Sequence, residues 1–106
     1  GGLKTIYVAP YINTTHACMY HSPSCQGELV NISFDYLLFD NEGTLLDNIT
    51  LISEANGFFS VDLPVDRAYM MLIGSFINGT QYVGSALITT YSDSPDCLTT
   101  THLMKI

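Results

Sequence analysis

The 106-residue sequence has no tryptophan and only three basic side chains, Lys4, Arg67 and Lys105, against ten acidic ones. With a net charge of −7 and so few cations, no patch exists to neutralise a row of phosphates, which excludes nucleic acid and argues against anionic membrane surfaces. A negative surface instead favours the approach of cations or of a basic partner protein. No apolar run reaches the roughly 18 residues that a membrane span requires. No signal-peptide pattern is visible, and Gly1-Gly2 reads as the scar of a cleaved tag, so the natural N-terminus is expected upstream. Charged residues are scarce at 12% while hydrophobic residues reach 47%, which excludes a disordered chain and a coiled coil. One domain of this length can bury a core without help from a metal or a disulfide.

Helix signals are also missing: no capping residue is followed by an apolar period of 3.6, and there is no internal repeat. Strand signals take their place. Thr5 to Ala9 mixes β-branched, aromatic and small residues and is stopped by Pro10, which has no N–H for a ladder. Ile32, Phe34, Tyr36 and Leu38 alternate with polar residues up to the turn Asp40-Asn41-Glu42-Gly43, and Thr44 to Ile52 is the return strand. Phe59, Val61 and Leu63 share one face of a strand that Pro64 ends. Ala68 to Phe76 is apolar on both faces, as expected for a strand covered on two sides or lying under a loop. Asn78-Gly79 predicts a hairpin into Tyr82 to Thr90, and Cys97 to Ile106 reads as a final strand after the Ser92 to Asp96 loop. About seven strands at intervals of roughly ten residues predict an all-β fold, an antiparallel β-sandwich or barrel. Between the first two strands, Tyr11 to Gly27 holds no periodicity and is a long ordered loop of the kind that usually carries function.

That loop contains His16-Ala17-Cys18-Met19-Tyr20-His21-Ser22-Pro23-Ser24-Cys25, with two of the three cysteines and two of the three histidines; the remaining cysteine is Cys97. Thiolate, imidazole and thioether donors suit Cu(I) or Zn(II) far better than Mg, Ca or Mn. His16 and Cys18 share a side if the segment is extended, and a turn at Ser22-Pro23 returns His21 and Cys25 over them. His102, five residues beyond Cys97 along a strand, lies about 17 Å away on the other face and falls outside the site. Met19 and the pair Met70-Met71 read as core filler. Structural zinc brings paired ligands from two knuckles, whereas the second half of the chain offers a single cysteine, so zinc is the weaker candidate. Cu(I) needs only two or three soft donors. Cu(II) would instead take one electron from each of two sulfurs, joining them as a disulfide that a thiol-disulfide exchange partner must reopen. Two further readings stand beside this one. One is a catalytic Cu(II)-reducing thiol oxidoreductase; the other is an exported structural or adhesion module without metal, stapled by a Cys25–Cys97 disulfide that closes a loop of about 70 residues.

Ala9-Pro10-Tyr11-Ile12-Asn13-Thr14-Thr15-His16-Ala17-Cys18, then His21, Cys25-Gln26-Gly27-Glu28, Asn56-Gly57-Phe58, Leu63-Pro64 and Ser92-Asp93-Ser94-Pro95-Asp96-Cys97-Leu98-Thr99-Thr100 resemble the CueP family of bacterial periplasmic copper-binding proteins. The likeness covers nearly the whole chain. It implies a single copper-binding β domain over residues 1–106, without the N-terminal region that family members carry, in an exported, periplasmic or extracellular protein. It also implies copper held by Cys18, Cys25 and Cys97, with His16 and His21 as supplementary ligands, and Cu(II) reduction for which Cys25 and Cys97 are the redox candidates. Copper resistance, copper delivery to an enzyme such as a periplasmic superoxide dismutase, and a homodimer through an unpaired strand edge are the remaining expectations.

Overall fold

Alternation along the strands decides which side chains turn inward, and two sheets result. A computed structural model describes residues 1–106 as eight strands with no helix: β1 (Leu3–Val8), β2 (Ser33–Asp40), β3 (Leu45–Ile52), β4 (Phe59–Pro64), β5 (Ala68–Ile77), β6 (Thr80–Thr89), β7 (Cys97–Leu98) and β8 (Met104–Lys105). The smaller sheet has the order β4-β1-β7 and the larger β3-β2-β5-β6-β8. All pairings are antiparallel except β1 with β7. The protein is therefore an all-β sandwich, and no helix is long and apolar enough to cross a membrane.

Between the sheets, Ile6 and Val8 of β1 and Phe59 and Leu63 of β4 meet Phe34, Tyr36 and Leu38 of β2, Tyr69, Met71 and Ile73 of β5, and Ile88 of β6. These are alternate residues of their strands, so burial follows the period of two. The β5–β6 hairpin turns on Asn78 and Gly79, which both take positive φ, 52° and 79°. That backbone matches a two-residue turn of the kind whose twist suits paired strands.

Three expectations need correction. The residues after Cys97 form two short strands, not one: β7 lies beside β1 and β8 beside β6, so Thr99 to Leu103 crosses from one sheet to the other. β5 is covered on one side only. Its outward residues Met70, Leu72 and Phe76 are exposed, because the long loop packs over the smaller sheet. Of the methionines read as core filler, only Met71 is buried; Met19 and Met70 are exposed.

Candidate metal centre

On β1, Ile6 and Val8 face the core, so Tyr7 points to the outer side of the smaller sheet. Parallel pairing sets Tyr7 beside Cys97 and Val8 beside Leu98. Residues paired across a ladder share a face, so Cys97 shares the outer face with Tyr7. Here a second, small cluster forms from Ala9, Cys25, Phe58 and Cys97, with Tyr7 and Cys18 packed against it. The Pro10 to Ile32 loop covers it.

Backbone hydrogen bonds hold that loop down. The Met19 carbonyl accepts from the N–H groups of both Asp96 (3.0 Å) and Cys97 (3.2 Å). The Asp96 carboxylate accepts from the His21 N–H at 2.9 Å, and the Thr15 hydroxyl donates to the Thr99 carbonyl. Cys25 N–H donates to the Ser22 carbonyl, closing the turn expected at Ser22-Pro23. Immediately after Cys25, Gly27 N–H donates to the Asn56 carbonyl, and the two chain segments touch at Gly27 and Gly57. A Cβ on Gly57 would lie 2.5 Å from the Gly27 carbonyl, and Gly57 has φ of +80°. Glycine is required there on both counts. That contact is what lets Phe58 pack against Cys25.

At the far end of the loop, Glu28 does what a run of loop N–H groups needs. Its carboxylate accepts from the N–H groups of Ile12 (2.7 Å), Asn13 (3.1 Å) and Thr14 (3.0 Å) and from the Thr14 hydroxyl (3.2 Å). Burial by itself would raise its carboxyl pKa, but these donors outweigh it and hold the group below its ordinary value.

The three cysteines are free thiols whose sulfur atoms all lie within 4.8 Å of one another. The Cys18 and Cys25 sulfurs are 3.0 Å apart. Metal–sulfur bonds of roughly 2.3 Å set three sulfurs around one ion about 4 Å apart in a trigonal plane, so the cluster needs only small adjustments to close on an ion. Electrostatics distribute the charge unevenly. The hydrogen bond from Cys18, helped by the Ser22 hydroxyl, lowers the Cys25 pKa. Burial raises that of Cys18, and the hydrogen bond to Cys25 raises it further. Cys97 is pushed far up, first by burial and then by Cys18, Cys25 and the Asp96 carboxylate. The pocket thus makes Cys25 the most readily ionised of the three thiols. Three thiolates together require a cation.

The histidines stand apart from the sulfur trio, since neither offers a nitrogen within the 4.8 Å group. His21 is stacked on Tyr7 at 4.1 Å and meets the edge of Phe58 at 4.7 Å, and its Nδ1 is buried with no hydrogen-bond partner. His16 is exposed and lines a polar cavity of about 290 Å³ with Gln26, Glu28 and Thr99. His102 is remote from the cysteines, stacked on Tyr11 and bonded through Nε2 to the Ile12 carbonyl at 3.0 Å. Asp96, Glu28, Tyr7 and the Gly27–Gly57 contact carry the site without having been singled out for it in the sequence. Asp96 and Glu28 stood in the motif blocks beside Cys97 and Cys25, which was the available signal.

A pocket lined by three thiols under a loop of a β-sandwich has the donor set of a small thiolate metal site. The family model described as periplasmic copper-binding protein CueP matches residues 3–102. The chain belongs to that family, which is periplasmic and binds copper. Among solved structures, the crystal structure of S.CueP superposes with a TM-score of 0.87 at 34% identity, covering 98% of this chain and 65% of that one. The chain therefore spans about two thirds of the length of that relative. No curated protein matches.

Proposed function

We propose that this domain binds Cu(I) through the thiolates of Cys18, Cys25 and Cys97. The observation that carries the reading is the meeting of three sulfurs, drawn from a loop and a strand 72 residues further on, within 4.8 Å. Three soft donors complete a Cu(I) shell, whereas a closed structural zinc site takes four ligands. The buried, unpartnered Nδ1 of His21 supports a supplementary role for that imidazole, and exposed His16 serves at the entrance of the loop.

Reduction of Cu(II) follows from the same sulfurs. Two Cu(II) ions take one electron each from two cysteines; both become Cu(I), a sulfur–sulfur bond forms, and any thiol protons pass to solvent. Cys25, the most readily ionised thiol, is the first donor. Its nearest sulfur is that of Cys18, at 3.0 Å, which makes Cys18 a closer redox partner than the Cys97 expected from the sequence. A periplasmic thiol-disulfide exchange protein reopens the bond. Copper resistance, and release to a copper-requiring enzyme such as a superoxide dismutase, are the roles this chemistry serves.

The test is a titration of the reduced protein with Cu(I) against a competing chelator. Wild type takes up one ion tightly, and Cys18→Ser and Cys25→Ser bind far more weakly; unchanged affinity in those variants would sink the assignment. Peptide mapping after two equivalents of Cu(II) identifies the disulfide, expected between Cys18 and Cys25.

A further inference from the structure

Burial around the cluster is graded. Cys97 is 2% exposed and Cys25 9%, Cys18 is half-buried, and Met19 is 60% exposed. Met19 follows Cys18 in the chain, and its carbonyl accepts from the Cys97 N–H, so the root of its side chain is fixed to two of the three sulfur-bearing residues. The thioether packs into neither hydrophobic cluster. Cu(I) outside a protein travels in the ligand shell of a chelator or another protein and must meet an incoming donor before that shell opens. The deepest sulfurs are out of reach of such a complex. The Met19 thioether is exposed one residue along the chain from Cys18, is soft enough for Cu(I), and has no proton to lose.

We propose that Met19 is a relay ligand that passes Cu(I) between the solvent and the three-cysteine centre, making a bond during transfer that the resting site does not contain. On uptake, a copper bond to the Met19 sulfur forms as one to the external donor breaks. The Cys18 sulfur then bonds the ion, its proton leaving to solvent, as the Met19 bond breaks; release runs the same steps backwards. This rests on the Cu(I) reading of the centre and adds to it the route of entry.

Stopped-flow transfer of Cu(I) from its bicinchoninate complex to the reduced protein, and back to excess bicinchoninate, tests the relay in Met19→Leu, which keeps the volume and removes the sulfur. Uptake and release both slow by about tenfold, leaving their ratio as it was, because a ligand absent from both end states acts on rates in both directions alike. Tyr20→Leu, which alters the neighbouring exposed side chain, keeps wild-type rates. In wild type, methyl NMR with substoichiometric Cu(I) broadens the Met19 signal and leaves Met70, Met71 and Met104 sharp, a readout that needs no variant to fold. Wild-type rates in Met19→Leu, or an undisturbed Met19 methyl, overturn the relay alone. A loss of affinity in Met19→Leu also overturns it, by making Met19 a resting ligand. Failure of wild type to bind Cu(I) overturns the centre and the relay together.

Discussion

The two clusters of buried side chains in this molecule are built by different means. The larger, between the sheets, is filled by alternate residues of long strands and is almost wholly apolar. The smaller, on the outer side of the three-stranded sheet, mixes thiols with Phe58 and Ala9 under an irregular loop held by hydrogen bonds to Asp96, Cys97, Thr99 and Glu28. The first holds most of the buried apolar side chains and the second holds the three thiols. The separation means that the sulfur site can be altered without unfolding the sandwich, and the sandwich weakened without changing the chemistry of the sulfurs.

The sharpest way to break the comparison is a pair of substitutions. Cys25→Ser lowers Cu(I) affinity by about a thousandfold or more, since a deprotonated sulfur ligand is lost, while the melting temperature of the metal-free protein shifts by only a few degrees. Ile73→Ala, in the interlayer core, costs about 2–5 kcal/mol of stability and leaves the affinity of the folded protein unchanged. Calorimetry and competition titration on both variants check the pair, and equal effects on both quantities would show that the two clusters are one. Proton linkage comes next. Cys18 and Cys97 have raised pKa values and Cys25 a lowered one, so copper uptake at neutral pH displaces two protons, or three where Cys25 also begins protonated. Apparent Cu(I) affinity therefore rises with pH, by about a hundredfold to a thousandfold per unit near pH 7. Titrations between pH 6 and 8 measure that slope; a flat profile would mean that the thiols do not bind as thiolates.

Gly57→Ala probes the close contact that seats Phe58 against Cys25. The added methyl meets the Gly27 backbone at 2.5 Å in a positive-φ position, and relief requires the two segments to separate. A cost of about 3 kcal/mol is expected from strain and lost packing around Phe58. Hydrogen exchange should report it at Cys25, Gln26 and Gly27 while the β2, β5 and β6 amides keep their protection. Uniform loss of protection across the sandwich would instead place this contact in the main folding unit.

Legibility in the sequence divides along the same line. The strands were readable because a period of two survives in residues such as Phe34, Tyr36 and Leu38 or Phe59, Val61 and Leu63, and because Pro10, Gly43, Pro64 and Asn78-Gly79 mark their ends. The split after Cys97 was not readable, since Thr99, Thr100 and Thr101 suit a strand and nothing local announces a change of sheet. Nor was the exposure of Met70 and Leu72, because an apolar residue in a strand does not say whether a neighbour covers it. At the site, residue type and spacing brought out Cys18 and Cys25, whereas the approach of Cys97 depends on the parallel β1–β7 pairing, a long-range contact invisible to any local pattern. The anchors were hidden for a similar reason: Glu28 bonds residues 14 to 16 positions earlier, and Asp96 one 75 positions away.

Glu28 gives the mildest test, because it touches no sulfur. Its two oxygens take four donors from Ile12, Asn13 and Thr14, so the loop leading to His16 and Cys18 is tied to the chain that follows Cys25. Glu28→Gln keeps the shape, but it removes the charge and turns an NH2 group toward one set of donors, which leaves at least one N–H unsatisfied. The local cost is about 2 kcal/mol. The acid response of the wild type has a definite sign. The folded carboxyl pKa lies below its ordinary value of 4.5, so the anchor contributes in full above that value and is lost as pH falls through the depressed one. Exchange of the Asn13 and Thr14 amides should accordingly become less protected, relative to intrinsic rates, only in acid in the wild type, and be poorly protected and insensitive to acid in Glu28→Gln. Cu(I) affinity then falls by no more than about tenfold, as for other residues that position a ligand without touching the metal; a loss as large as that in Cys25→Ser would mean that the loop, more than the sulfurs, decides binding.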